Sequence, residues 1–151
     1  MIKHVVRRWA LAAVIVAGAV TSAAAAPGWI ADPKTGCRAW DNYPNPDDRI
    51  QWSGPCVNGF ADGEGTLRWF SKGDNYETDV GHYTRGKIAG HARADAGRGQ
   101  FEGAFSDNRP NGQGVFRAKS GEVFSGRWVA GCFNEGGRKA RFFATDAACG
   151  L

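Results

Sequence analysis

Two histidines stand where they could take part in chemistry. His82 and His91 lie in a stretch that alternates like a β-strand, and Asp79 and Glu102 are the carboxylates that could join them. Zinc sites use three or four ligands, and this pattern gives neither carboxylate a definite place beside the imidazoles. An exported hydrolase using either histidine with a carboxylate is the least favoured alternative, because we interpret both as solvated strand residues. The sequence thus predicts no metal site, no catalytic residue and no cofactor.

A second motif imitates a phosphate-binding loop. Gly81, Gly86 and Lys87 have the required spacing, but Ile88 stands where a Ser or Thr hydroxyl must reach magnesium. The glycines are also accounted for by a repeat described below. We therefore exclude a nucleotide-phosphate site.

The four cysteines indicate an oxidising environment. An even number in a chain with an export signal predicts disulfides rather than zinc ligands or a catalytic thiol. Four cysteines allow three connectivities, which the sequence leaves open. We favour Cys37–Cys56 and Cys132–Cys149, because short loops cost less entropy to close.

The beginning of the chain has the layout of a secretory signal peptide. Lys3, Arg7 and Arg8 form a basic start, residues 9–20 are apolar, and an alanine tract follows. An apolar run of this length is too short to span a hydrocarbon core of ~30 Å. We expect cleavage after Ala25 and a periplasmic or secreted mature protein.

Charge argues against nucleic acid as a partner. The chain has 19 basic and 15 acidic residues, but three basic ones lie in the leader, so the mature chain is close to neutral. Nucleic-acid binding needs a basic surface that releases counterions from phosphates. The remaining charge is polarised, with acidic groups in excess over residues 26–80 and basic groups in excess over 81–141. The basic strip predicted in the later repeats contains Arg85, Lys87, Arg93, Arg98, Arg109, Arg117, Lys119 and Arg127.

The mature chain contains an internal repeat. The pattern aromatic-x-Gly-x-aromatic, a turn, then Gly-x-Gly-x-apolar begins at about residues 52, 79, 101 and 124. Two slots depart from it, since Cys56 and Asp79 stand where aromatic residues are expected. Regular self-similarity of this kind is typical of repeat architectures.

Each copy predicts one β-hairpin. Polar and apolar residues alternate with period two, and two-residue turns fit Asn58-Gly59, Arg85-Gly86, Asp107-Asn108 and Ala130-Gly131. In the first copy this places Trp52 opposite Gly65 and Gly54 opposite Gly63. The predicted fold class is all-β: an elongated single-layer antiparallel sheet of consecutive hairpins, with aromatic residues and glycines on one face and polar residues on the other.

The four copies resemble MORN repeats (membrane occupation and recognition nexus), here of an exported bacterial type. The family pattern is Tyr-x-Gly-x-Trp, a turn, then Gly-x-Gly-x-Tyr, and the resemblance covers about residues 52–143. It implies scaffolds for protein contacts, with phospholipid as a further suggested ligand and no catalysis. Residues 26–51 and 144–151 are then terminal caps, which disulfides hold against the open ends of the sheet.

The sequence therefore predicts a non-enzymatic scaffold that contacts proteins in the cell envelope. Binding of anionic phospholipid or an envelope polymer through the basic strip is the alternative. The aromatic–glycine face is the expected recognition surface. Its contact candidates are Trp52, Tyr83, Phe101, Phe105, Phe116, Phe124 and Trp128.

Overall fold

The computed structural model describes residues 27–151, and the predicted signal peptide lies outside the described residues. Strands make up most of this part of the chain, and its one helix is a single turn. No helix within residues 27–151 is long and apolar enough to cross a membrane. The elements are β1 (Gly28–Ala31), β2 (Arg38–Asp41), β3 (Asp48–Trp52), β4 (Cys56–Val57), β5 (Phe60–Ala61), β6 (Gly63–Ser71), β7 (Asp74–Thr84), β8 (Lys87–Ala96), β9 (Gly99–Ser106), β10 (Arg109–Ala118), β11 (Val123–Val129), β12 (Cys132–Glu135), β13 (Arg138–Arg141) and α1 (Asp146–Cys149).

The main sheet has nine strands in the order β13-β12-β11-β10-β9-β8-β7-β6-β3. Every neighbouring pair is antiparallel, and from β6 to β13 each strand pairs with the next one along the chain. Consecutive hairpins of this kind need only short connections. The predicted all-β sheet of consecutive hairpins is confirmed.

Three of the predicted turns connect strands of the main sheet. Arg85-Gly86 joins β7 to β8, Asp107-Asn108 joins β9 to β10, and Ala130-Gly131 joins β11 to β12. All six residues have positive φ, the backbone geometry whose twist matches that of the flanking strands. Because alternate connections of a meander lie at the same end of a sheet, these three turns lie at one end of the main sheet.

The first repeat copy departs from the predicted register. Trp52 pairs with Leu67, so the predictions that it lies opposite Gly65 and that Gly54 lies opposite Gly63 are wrong. The physical reason is that the chain leaves the main sheet after β3. The short hairpin β4–β5, around the turn at 58–59, joins a second sheet of order β1-β2-β5-β4. The Trp52 ring nevertheless covers Gly65, where a Cβ would lie 2.3 Å from the indole.

A row of small residues crosses the centre of the main sheet. In register from β6 to β11 stand Gly65, Gly81, Ala92, Gly103, Gly114 and Gly126. Aromatic rings use the space that the missing side chains leave. A Cβ at Gly114, for example, would lie 2.2 Å from Phe101 Cζ. The repeated glycines therefore allow rings to lie across neighbouring strands, which is a packing role rather than a source of flexibility.

The two terminal segments close over the aromatic face. After β13 the chain turns back, and Phe142 stacks on Phe101 with ring centroids 5.7 Å apart. Phe143 packs beside Phe105, and its carbonyl accepts a hydrogen bond from the Tyr43 hydroxyl of the N-terminal segment, 3.3 Å away. What the repeat pattern describes as one face of a sheet is thus the interior of the folded chain.

Disulfides hold both ends in place, in the pairing that the sequence analysis favours. Cys37–Cys56 ties the segment before β2 to the β4–β5 hairpin, with Cα atoms 5.7 Å apart. Cys132–Cys149 ties the single turn of helix to β12, with Cα atoms 5.3 Å apart. Both bonds join residues fewer than twenty positions apart, as short-loop closure predicts.

Candidate binding surfaces

The aromatic contact candidates lie inside the protein. All are at least nine-tenths buried, and Phe101 and Trp128 are fully so. The rings contact one another edge-on or tilted, at centroid distances such as 5.1 Å between Phe101 and Trp128. With the terminal segments in place, a partner has no access to this face. The buried residues are Trp52, Tyr83, Phe101, Phe105, Phe116, Phe124 and Trp128.

The eight basic candidates fall at three separate places. Arg85, Lys87 and Arg109 lie at the end of the sheet formed by the three turns, and Lys87 pairs there with Asp107. At the opposite end are Arg98 and Lys119. The remaining three lie on the exposed face of the sheet, and they are Arg93, Arg117 and Arg127. The fold therefore does not bring the predicted basic residues together as one strip.

The exposed face of the sheet includes two rows of outward side chains beside the glycine row. One row from β6 to β11 reads Thr66, Val80, Arg93, Glu102, Val115 and Ser125. The next reads Arg68, Thr78, Asp95, Gln100, Arg117 and Val123. We call these twelve residues the outer platform. It carries charges of both signs and three valines, a composition that suits contact with a protein better than contact with a uniformly anionic surface.

A shallow groove lies on the part of the outer platform that β9, β10 and β11 form. Its volume is about 480 Å³, and its walls include Glu102, Gln113, Val115 and Arg117. His91 stands at its edge, at the bulge where the β7–β8 register shifts. The groove offers hydrogen-bond donors, acceptors and apolar area within one small region.

The two histidines do not form a common site. His82 Nδ1 lies 3.3 Å from Glu64 Oε1, on the exposed surface. His82 pairs in register with Ala89, whereas His91 falls inside the β7–β8 bulge and pairs with Ala104 of β9. Among residues 27–151 no group of three or more metal-ligating side chains is close enough to hold an ion.

The structure also contains a cavity that the sequence analysis does not predict. It has a volume of about 170 Å³ and lies between the N-terminal segment, β6, β7 and Phe143. Aromatic side chains that line it are Trp40, Tyr43, Trp69 and Tyr76. Carboxyl groups that line it are Asp41, Glu77 and Asp79, and we call this space the acidic cavity.

Asp79 is the most buried of these carboxyl groups. Its Oδ2 accepts hydrogen bonds from Trp69 Nε1, at 3.2 Å, and from the Tyr83 hydroxyl, at 3.3 Å. Burial raises the pKa of Asp79 to about 7. Burial, together with the facing Asp79, also raises the pKa of Glu77 well above its ordinary value. The departure of residue 79 from the repeat pattern was the one sequence signal of this cavity.

Comparison with known protein families finds a match within the repeat region. The model of the MORN repeat matches residues 57–73 and 101–123. Two segments of the chain are therefore similar to the MORN repeat. The second match covers most of β9 and all of β10 with their turn, the hairpin whose Gly103 and Gly114 pair in the glycine row.

Curated proteins are similar to part of this chain. The chain is 37% identical over 91 residues to Alsin of Rattus norvegicus, a match that takes in 56% of this chain and 6% of that protein. Alsin of Homo sapiens matches with the same identity over 5% of its length. The chain therefore spans about one-twentieth of the curated relatives it matches. The likeness concerns the repeats and not the remainder of those proteins.

Proposed function

We propose that this protein is an exported, non-enzymatic MORN-repeat module that binds another protein through the outer platform. The observation that most supports this proposal is that the fold buries one face of the sheet and leaves the other face open. Val80 and Val123 on the platform are 49% and 41% exposed, and they stand among charges of both signs. Aliphatic side chains held on rigid strands and surrounded by polar groups are a common composition for a protein interface.

Export is supported by two kinds of feature. The disulfides are typical of an oxidising compartment, because cytosolic thiols are kept reduced. The leader pattern of the first residues supports a periplasmic or secreted location. Mass spectrometry of the protein purified from its source tests this: a mature chain that begins at Ala26 is the expected result. A full-length chain with free thiols would contradict export.

Capture from envelope extracts tests the platform. Immobilised wild-type protein should retain a small set of proteins that the double variant Arg93→Glu/Arg117→Glu loses. The matched control, Arg98→Glu/Lys119→Glu, changes charge equally in the turns at one end of the sheet and should retain the same set. If both variants lose it, net charge rather than the platform decides binding, and the proposal fails. Alanine variants of the aromatic residues are unsuitable, since they would disrupt the interior.

Anionic lipid is the alternative partner, and the later repeats carry the excess positive charge that favours it. A surface cation adds about 1 kcal/mol near an anionic membrane only when it is close to that surface. Because the basic residues lie at three separate places, their attractions to a single membrane surface do not add up. Flotation with phosphatidylcholine vesicles, with and without phosphatidylglycerol, separates the two functions. Binding that depends on phosphatidylglycerol would establish the alternative.

The surroundings of His82 support a hydrolase function less than the outer platform supports a binding function. His82 and Glu64 are close enough to interact, but both lie on an open sheet surface with their side chains 46% and 78% exposed. Catalytic sites usually exclude water around the reacting groups. We therefore assign neither histidine a catalytic role in the proposed function.

A further inference from the structure

The acidic cavity is lined by carboxyl groups that the described chain does not neutralise. Asp41 and Asp79 are 7% and 3% exposed. Neither takes part in an ion pair among residues 27–151, and no basic side chain of that part lines the cavity. Lys87 lies over the Trp40 ring at 5.0 Å, but it pairs with Asp107 instead. Buried carboxylates are costly unless a cation or hydrogen-bond donors compensate them.

Two of the buried oxygens also have no hydrogen-bond donor. Within the described residues, Asp41 Oδ2 and Asp79 Oδ1 accept no hydrogen bond from an N–H group, and the only group facing the Asp79 carboxyl besides Trp69 and Tyr83 is the Glu77 carboxyl. The second oxygen of each carboxyl group is satisfied, because Asp41 Oδ1 accepts from the Tyr43 backbone N–H at 2.8 Å and Asp79 Oδ2 accepts from Trp69. A buried acceptor without a donor costs free energy, so a group that both donates hydrogen bonds and carries positive charge would be favoured here.

The walls of the cavity suit an organic cation. Trp69 is almost completely buried, whereas Tyr43 and Tyr76 are 46% and 40% exposed and line the same space. The faces of aromatic rings attract cations through their quadrupole, most strongly where water is excluded. Aromatic walls also accommodate the alkyl part of a ligand, which a bare metal ion lacks.

The volume of the cavity and the hydrogen bonds that it can accept narrow the choice of ligand. A cavity of about 170 Å³ is close to the ~150 Å³ that holds benzene in another protein, so a group of about six heavy atoms fits. A primary ammonium has three N–H donors, enough for both orphaned oxygens, whereas a quaternary ammonium has none. We propose that the acidic cavity binds a primary alkylammonium group, with its nitrogen between Asp41 and Asp79 and its alkyl chain against Trp69.

This site is separate from the outer platform, and either can be present without the other. The same ammonium chemistry could come from a free aliphatic amine or from a lysine side chain. Isothermal titration with butylamine and with Nα-acetyl-lysine methylamide distinguishes these sources. Tighter binding of butylamine indicates a free amine, and tighter binding of the lysine derivative indicates a protein side chain; binding of either supports the site.

The neutral analogue 1-butanol is the ligand control, since it keeps the alkyl chain and removes the charge. We expect it to bind about tenfold more weakly than butylamine, as loss of charged hydrogen bonds predicts. Equal binding of the two would show an apolar cavity only and would overturn the proposal. Failure of both amines to bind would overturn it as well.

Two variants test the assignment of the carboxyl groups. Asp79→Asn keeps an acceptor for Trp69 and Tyr83, and Asp41→Asn keeps one for the Tyr43 amide, so each preserves the surrounding hydrogen bonds. Circular dichroism is used to check that each variant is folded. Each should weaken butylamine binding about tenfold. The matched control Asp95→Asn, on the outer platform, should leave it unchanged. Unaltered affinity in both cavity variants would contradict the proposed site.

The pH dependence of binding supplies a further readout. Glu77 and Tyr83 are the titratable groups that lie against Asp79, and Asp41, Asp48 and Tyr76 in turn face Glu77. Because Asp79 becomes fully charged only above about pH 7, butylamine should bind more tightly at pH 8 than at pH 5.5. The amine itself stays protonated over this range, since alkyl ammonium groups titrate near ~10. Affinity that does not change with pH would contradict a charged site.

Discussion

The Phe101 ring packs directly against the backbone of Gly114 on the neighbouring strand. A Cβ at residue 114 would lie 2.2 Å from Phe101 Cζ and 2.8 Å from Cε2, closer than side-chain carbons approach. Phe101 is itself completely buried, and Phe142 covers it from the other side. The ring therefore cannot move away without displacing the C-terminal segment. This contact shows why the repeat needs glycine at this position.

The variant Gly114→Ala should destabilise the protein. Overpacking of a filled interior costs roughly 1–3 kcal/mol, and we expect a loss of about 2 kcal/mol in the free energy of unfolding. Urea denaturation measures it. Gly97→Ala is the control, because a Cβ there meets nothing within 4 Å and should change stability little. Equal stability of both variants would contradict the packing role.

Removing the ring of Phe142 should expose the aromatic face. Phe142 is 2% exposed and packs on Phe101 and Phe116, so Phe142→Ala should cost about 3–4 kcal/mol. Binding of a hydrophobic dye should rise in conditions where the variant remains folded. Val129→Ala removes an apolar side chain that is 57% exposed and should do neither. If dye binding stays unchanged, the C-terminal segment does not cover this face.

The C-terminal disulfide should contribute measurably to stability. Cross-linking residues at this spacing constrains the unfolded chain by roughly 3 kcal/mol, so Cys132→Ala/Cys149→Ala should lose about that amount. Hydrogen exchange should accelerate over residues 142–151 before it does over β7 to β10. Uniform exchange across the chain would indicate that the bond stabilises the whole fold equally and does not hold one end.

The raised pKa of Asp79 should make the stability of the protein fall as pH rises toward neutrality. The folded-state pKa of Asp79 is about 7, above the value of about 4 in an unfolded chain. Between these values the folded protein keeps a proton that the unfolded chain has released, so the stabilising effect is complete below about pH 4 and disappears through pH 7.

The variant Asp79→Asn tests this dependence, because an amide does not titrate. Urea denaturation at intervals from pH 4 to 8 should show a smaller decrease in stability for Asp79→Asn than for the wild type. Asp95→Asn should follow the wild type. A difference between Asp79→Asn and wild type that stays constant across this range would contradict the raised pKa.

Much of the main sheet could be predicted from local patterns. Two-residue turns at Arg85-Gly86, Asp107-Asn108 and Ala130-Gly131 depend only on adjacent residues, and all three occur. The register of Trp52 could not be predicted in this way. The position of Trp52 depends on the β4–β5 hairpin leaving the main sheet and on its disulfide to Cys37, which is a contact between distant parts of the chain.

The candidate sites also divide into features that local sequence predicts and features that depend on contacts between distant parts of the chain. Alternation identified which residues share a face, and the glycine row confirms that part of the fold. Alternation contains no information on what covers a face, so the aromatic residues were expected to meet a partner and instead meet Phe142 and Phe143. The acidic cavity likewise requires Asp41 and Asp79 to come together from separate strands.

The sequence by itself determined a repeating β-hairpin, its turns, its alternating faces and its even set of cysteines, because each depends on neighbours a few residues apart or on a simple count. Only the tertiary structure decided which face is interior, where the cations lie and which carboxyl groups share a cavity. Those outcomes follow from the folding of both ends of the chain over the sheet. This folding removes the aromatic rings from water, which lowers the free energy of the folded state.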